Sequence, residues 1–170
     1  MLKSKYSIKL ALAALTLFGV VHGTTALAAT ATASASATIT DAPITITNSQ
    51  PLAFGDIAAG NQASVVSIAT DGTRTLESGD AILGANSGSA GVFNITGEAS
   101  KAYTVTLPST NVTINDNTGN SMTITDFVSN ASGTVGSDGT DSFNVGAKLN
   151  VAANQPAGSY SGSFTVEVVY

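Results

Sequence analysis

The sequence predicts an all-β fold, an antiparallel immunoglobulin-like β-sandwich, with a β-barrel as the alternative architecture. Three observations lead there. Apolar residues recur with period 2 against Thr and Ser, the mark of strands with one buried and one wetted face. Turn signals built on Gly, Asn and Asp break the chain at short intervals. No stretch carries a 3.6-residue apolar period with caps, so minimal helix is expected. Seven to nine short strands in a chain of 170 residues fit two packed sheets.

Residues 1–28 read as a cleaved secretory signal. Lys3, Lys5 and Lys9 make a basic start, residues 10–21 (LALAALTLFGVV) are an apolar run, and Ala26-Leu27-Ala28 offers small residues where a signal peptidase must fit. Cleavage is expected after Ala28. The apolar run is shorter than the ~20 residues that span a bilayer, and no later segment is long enough. The mature chain is therefore expected beyond the inner membrane, in the periplasm, at the cell surface or outside the cell, without a membrane span.

Residues 29–40 (ATATASASATIT) alternate strictly, but their apolar members are only Ala31, Ala33, Ala35 and Ala37 until Ile39. Alanine buries little area, so this strip gains little hydrophobic stabilisation alone. It reads either as a low-complexity tail or as an extended strand suited to a narrow, shallow groove. The sandwich domain is assigned to residues 41–170.

Within that domain, Ile44 and Ile46 alternate with Thr45 and Thr47, and Phe93 and Ile95 with Asn94 and Thr96. Tyr103, Val105 and Leu107 alternate with Thr104 and Thr106, and Met122 and Ile124 with Thr123 and Thr125. Phe143, Val145, Leu149 and Val151 continue the pattern, and Phe164, Val166, Val168 and Tyr170 close the chain. Turns are expected at Asp71-Gly72, Ser78-Gly79-Asp80, Asn86-Ser87-Gly88, Thr118-Gly119-Asn120, Ser137-Asp138-Gly139 and Gln155-Pro156-Ala157-Gly158. No fixed repeat or linker divides the chain.

Composition narrows the chemistry. There is no Cys, and the single His22 lies within the signal, so thiol and imidazole catalysis and His- or Cys-ligated metals are excluded from the mature chain. After cleavage Arg74, Lys101 and Lys148 face eleven acids, a net charge of −8. Three scattered cations make no phosphate-tracking patch, which argues against nucleic acid and anionic lipid as partners. Without disulfides the fold must hold by packing and strand pairing.

Candidate sites for catalysis or metals are weak. The Asp116-Asn117-Thr118-Gly119-Asn120 and Asp138-Gly139-Thr140-Asp141 segments crowd oxygen ligands as Ca²⁺ loops do, but lack the full alternating set and terminal Glu, and Asx turns explain them. Glu77, Glu98 and Glu167 supply no evident carboxylate pair for glycoside hydrolysis, and Glu167 should face solvent. A Ser nucleophile would have to use Lys101 as its base. Asn94-Ile95-Thr96, Asn111-Val112-Thr113 and Asn130-Ala131-Ser132 match the glycosylation pattern, as chance allows in a chain rich in these residues. No catalytic residue, cofactor or metal is expected.

The segment from Ile44 to Gly60 (ITITNSQPLAFGDIAAG), the Asp71-Gly72-Thr73-Arg74 turn and the segment from Val151 to Tyr160 (VAANQPAGSY) resemble a family of small secreted bacterial proteins of unassigned function. The Leu52-Ala53-Phe54-Gly55 element and the Ala157-Gly158-Ser159-Tyr160 lead into a Phe-x-Val-x-Val-x-Tyr ending are also similar to archaic chaperone–usher pilins and spore-coat-U-like domains. That second resemblance implies an incomplete sandwich whose groove a periplasmic chaperone fills first and the next subunit's N-terminal strand fills afterwards. It implies that Ala31, Ala33, Ala35, Ala37 and Ile39 form the donor strand. It also implies that Phe164, Val166, Val168 and Tyr170 line a last strand offered to a partner. The sequence departs from such pilins in lacking their disulfide and in the small side chains of its donor strip.

The expected function is a non-enzymatic structural subunit of a pilus-like or surface assembly, joined by strand exchange. The alternative is a self-contained secreted adhesive or matrix sandwich that binds a surface or glycan.

Overall fold

The computed structural model describes residues 29–40 and 42–170, so the expected signal segment lies outside the described residues. Residues 29–38, taken by themselves, form neither helix nor strand, and all are exposed. Eleven strands form among the described residues, and no helix. They are β1 (Thr45–Gln50), β2 (Ile57–Ala58), β3 (Ser64–Ile68), β4 (Arg74–Ser78), β5 (Ile82–Leu83), β6 (Gly91–Thr96), β7 (Thr104–Thr106), β8 (Val112–Asn115), β9 (Ser121–Ser129), β10 (Thr140–Val151) and β11 (Glu167–Val169). Among the described residues no helix is long and apolar enough to cross a membrane.

Seven strands share one antiparallel sheet in the order β1-β6-β10-β3-β4, with β9 on β10 and β8 on β9. The long β10 organises it. Its residues 140–145 pair with β6, residues 147–151 with β3, and residues 145–150 with β9. The register on β9 shifts between Gly146 and Lys148, a bulge that bends the strand. A Cβ on Gly146 would lie 2.2 Å from the Ile68 carbonyl oxygen, so glycine is what lets β3 and β10 meet here. The sheet curls without closing, because β1 and β4 each pair on one edge only. Two small sheets, β7–β11 and β2–β5, complete an antiparallel β-sandwich.

The bend in β10 divides the core in two. Phe143 and Val145 join Phe93, Ile95, Tyr103, Val135 and Val168 in one cluster, and Ala147, Leu149 and Val151 join Phe54, Val66, Ile68, Ile114 and Ile124 in the other. In the first, the Phe93 and Phe143 rings stack with centroids 5.5 Å apart, and Phe164 meets the edge of Phe93 at 6.3 Å. Fully burying one such side chain stabilises the fold by roughly 1.5–3 kcal/mol.

Four details depart from the expected elements. Strand β3 was hidden by adjacent Val65 and Val66; its buried face is Ser64, Val66 and Ile68. Buried Ser64 is satisfied because its hydroxyl accepts from the backbone of Asp80 and Ala81 and donates to the Gln62 carbonyl. The run from Tyr103 to Leu107 pairs only over Thr104–Thr106, since Pro108 follows and has no N–H to continue a ladder. Of the expected turn glycines, Gly72, Gly79, Gly88, Gly119 and Gly139 have positive φ, whereas in the Gln155–Gly158 region the left-handed residue is Asn154. The last strand pairs only over Glu167–Val169, although Phe164 and Val166 continue its inward alternation.

Candidate functional site

Over the second core cluster the sandwich is unfinished. A cleft of about 870 Å³ opens there, with Val112, Ile114, Met122, Ile124, Leu149 and Val151 of β8, β9 and β10 facing it. Two stretches without long strands flank it: residues 52–59 on one side and residues 155–164 on the other. Phe54, Ile57 and Phe164 add apolar surface, Tyr160 and several Ser side chains polar surface, and Asp56 is the one Asp, Glu, Lys, Arg or His among the described lining residues. The cleft is thus apolar in its depth and almost uncharged, which favours an uncharged occupant with apolar side chains.

The two flanks differ in what their backbones do. On the first, Ala53 exchanges both backbone hydrogen bonds with Ser89, Asp56 N–H donates to the Asn86 carbonyl, and Ile57 and Ala58 pair with β5. Its carbonyls are also claimed by a cation. Arg74 Nη1 donates to the carbonyls of Phe54, Asp56 and Asn86 at 2.9, 3.0 and 2.7 Å, and Nη2 to that of Gly84 at 2.6 Å. Gly55 lies inside this knot with φ +72°, and a Cβ there would sit 2.0 Å from the Asn86 oxygen and 2.7 Å from Nη1. Several backbone groups of the first flank, those of Ala53 and Asp56 and the Phe54 carbonyl, are thus engaged within the fold.

The second flank is open. Gln155 Nε2 donates to the Tyr160 hydroxyl, which donates back to the Pro156 carbonyl, and this closes a short loop. Ser161 then exchanges two backbone hydrogen bonds with Asn115, both 2.9 Å. From Gly162 to Val166 no residue has a strand partner among the described residues, and pairing resumes only at Glu167 with Thr106. Eight residues separate Thr106 from Asn115, but five separate Ser161 from Glu167. The longer side carries Pro108, and Gly162 lies against Thr113 and Ile114 of β8 without pairing with them.

The residues assigned to a donor strand, Ala31, Ala33, Ala35, Ala37 and Ile39, are all exposed and outside any strand; Ile39 is 96% exposed. At the C-terminus, Phe164, Val166 and Val168 turn into the first core cluster. Tyr170 is half exposed. Its hydroxyl accepts the Glu98 N–H, and the Lys101 ammonium lies 4.4 Å from its ring centroid, an arrangement that favours cation–π attraction.

The oxygen-rich loops are accounted for by their own hydrogen bonds. The Asp116 carboxylate accepts from the backbone N–H groups of Thr118 and Asn120 and from both their side chains. Those bonds, from Asn120 and then Thr118, hold its pKa well below the ordinary carboxylate range. Asp138 is lowered likewise by Thr140. Asp141 is the shared acceptor of Tyr103 and Ser132, each at 2.6 Å. Burial works to raise its pKa, but the Ser132 and Tyr103 hydroxyls outweigh it and the net shift is downward. Tyr103 is raised, by burial first and the Asp141 acceptor second. Glu77 accepts from Ser67, and Glu98 pairs with Lys101 at 3.0 Å. Among the described residues no three His, Cys, Asp or Glu side chains gather as a metal site would require.

Sequence reasoning singled out residues 29–40 and the C-terminal strand but not the cleft, Arg74's carbonyl cage or the run before β11 that lacks strand partners among the described residues. The Leu52-Ala53-Phe54-Gly55 and Gly158-Ser159-Tyr160 elements, noted for their resemblance, both line the cleft.

These features define an antiparallel β-sandwich with an open apolar cleft in its second layer. The chain belongs to the family described as a domain of unknown function, DUF4402, whose model matches residues 44–170. No curated protein and no solved structure matches the chain.

Proposed function

We propose that this chain is an exported, non-enzymatic structural subunit of a pilus-like or other surface assembly, joined to its neighbours by β-strand exchange. The observation that carries this reading is the cleft in the second layer: its aliphatic base adjoins residues 162–166, which have no strand partner among the described residues. Apolar surface and free strand edges are aggregation hazards in an isolated domain, and ordered addition of one strand removes both. The same chain carries a suitable donor in residues 29–40, which are uncharged, alternate in period 2 and are exposed.

The test is deletion of residues 29–40, followed by size exclusion and thermal melting of the full-length and shortened proteins. Strand exchange predicts concentration-dependent oligomers for the mature chain. It predicts their loss in the shortened chain, and a melting temperature for that chain that rises when a synthetic peptide of residues 29–40 is added. A mature chain that stays monomeric at every concentration, with a shortened chain equally stable and indifferent to the peptide, overturns the reading.

A further inference from the structure

We infer that the outer face of the large sheet carries a binding groove for a neutral, unbranched glycan, laid across β4, β3, β10 and β9 over Ser78, Val65, Asn150 and Thr123. None of these four residues lines the cleft, so the groove stands or falls apart from the strand-exchange reading. The strand register builds it. Val65 pairs with Ser78 on one side and with Asn150 on the other, and Asn150 pairs in turn with Thr123. Thr113 of β8 continues the row beside Thr123. Side chains alternate between the faces of a strand. The adjoining Val66, Leu149 and Ile124 are buried in the core, so this row lies on the opposite face. Five strands about 4.8 Å apart make the row roughly 19 Å long.

A groove of about 450 Å³ lies over the middle of the row. Val65, Asn150 and Thr123 are half-buried in it, while Ser78 and Ser121 are exposed. Two features select its occupant. Residues 148–150 of β10 are paired on both sides, with β3 and with β9, so no main-chain edge is open there for an extended peptide. Recognition falls to the side chains, and these are hydroxyls and an amide with bonding capacity to spare. Asn150 Nδ2 donates to the Thr123 carbonyl at 3.2 Å and the Thr125 hydroxyl at 3.3 Å. Those two bonds use both amide protons and hold the group in place, leaving Oδ1 to accept from outside. Among the described residues no hydrogen bond engages the hydroxyls of Ser78, Ser121 or Thr123.

A hydroxyl both donates and accepts, so this set matches a polyol, whose own hydroxyls do the same. Val65, between Ser78 and Asn150, offers an aliphatic surface to the C–H face of a sugar ring. The spacing of the strands is close to the length of one pyranose unit, so a linear glycan running along the row meets about one strand per sugar. Charge excludes the acidic glycans. No Asp, Glu, Lys or Arg stands among the described residues lining the groove, and Lys148, the cation of β10, lies 3.5 Å from the Asp126 carboxylate. An anionic sugar would meet no counter-charge there, on a mature chain of net charge −8. A neutral one brings no ion to desolvate.

The experiment uses the mature chain. Cellohexaose, maltohexaose and chitohexaose are titrated in a calorimeter beside the acidic hexagalacturonate, and amide shifts are followed by NMR. The expected result is saturable binding of at least one neutral hexasaccharide, at least tenfold tighter than hexagalacturonate, with shifts at Val65, Ser78, Thr123 and Asn150. Asn150→Ala and Thr123→Val should each weaken that binding tenfold or more. Asn94→Ala, on the outer face of β6 and outside the groove, should leave it unchanged. Melting curves confirm that each variant is folded; Thr123→Val, which keeps the shape of the side chain, carries the test if Asn150→Ala is not. Failure of all three neutral sugars to bind overturns the inference. So does hexagalacturonate binding equally well, binding that survives the groove substitutions, or an equal loss with Asn94→Ala.

Discussion

Arg74 donates from Nη1 to the Phe54 carbonyl at 2.9 Å, across twenty residues of chain, within a cage of four backbone carbonyls. The guanidinium fork can spread its donors over several acceptors in a plane, which an ammonium on a flexible stem cannot do. Three of these bonds are exposed, so each is worth less than a buried one. Arg74→Ala should cost about 2 kcal/mol, taking the net value of charge-assisted bonds discounted for exposure. Arg74→Lys should recover only part of that loss. Urea unfolding midpoints check both, and an alanine variant as stable as the parent would show the cage to be incidental.

Two glycines with the same backbone sign should respond differently to alanine. Gly119 has φ +98° with nothing within 4 Å of an added Cβ, whereas Gly55 has φ +72° and an added Cβ would collide with the Asn86 carbonyl and the Arg74 guanidinium. Gly119→Ala should cost only the left-handed penalty, about 1–2 kcal/mol. Gly55→Ala should cost clearly more and shift the 52–59 flank, because the backbone itself must move. Thermal denaturation of the pair settles the order. Equal losses would mean the knot around Gly55 yields freely.

Acid should weaken this fold through its turns. The folded-state pKa values of Asp71, Asp116 and Asp138 are all lowered by hydrogen bonds from the residues that follow them. Such groups contribute stability that is fully present above their unfolded pKa of about 3.9 and is lost as pH falls toward the folded value. Stability should therefore be flat from neutral pH down to about 5 and decline below about 4, where the unfolded chain binds the extra protons. Asp116→Ala should flatten the decline, since this carboxylate is among those most depressed. Denaturant titrations at pH 6, 4 and 3 test it. A variant with the parent's full acid sensitivity would place the effect elsewhere.

Much of the fold was legible because period-2 burial is a property of one strand at a time. Phe93 and Ile95, or Phe143 and Val145, declare their inward face from their neighbours alone. Strand β3 escaped because Val65 and Val66 break the visible alternation, and because Ser64 is a buried polar residue satisfied by a turn that no local pattern reveals. The cleft was illegible for a stronger reason. Its walls, residues 52–59 and 155–164, lie about a hundred residues apart, so no local pattern brings them together. Arg74 counted as one of three cations and as the end of a turn that carries a resemblance, but its bonding was invisible because backbone carbonyls leave no trace in residue identities. The alternation of residues 29–40 was visible as a pattern, while the cleft proposed to receive it was not.

The cleft floor and the closed core should separate under substitution. Phe143 is 1% exposed and stacked on Phe93, so Phe143→Ala should cost about 3–5 kcal/mol and leave little folded protein. Met122 is half-buried on the cleft floor, where its side chain borders open space. Met122→Lys can direct its ammonium to water along the cleft, at a cost of about 1 kcal/mol typical of partly exposed sites. If a second chain's uncharged segment must lie over that position, the same change puts an unpaired cation beneath it and should abolish oligomers while the monomer still melts cooperatively. Size exclusion beside a melting curve separates the two effects. Oligomers that survive Met122→Lys would place the subunit contact outside the cleft, whatever segment supplies it.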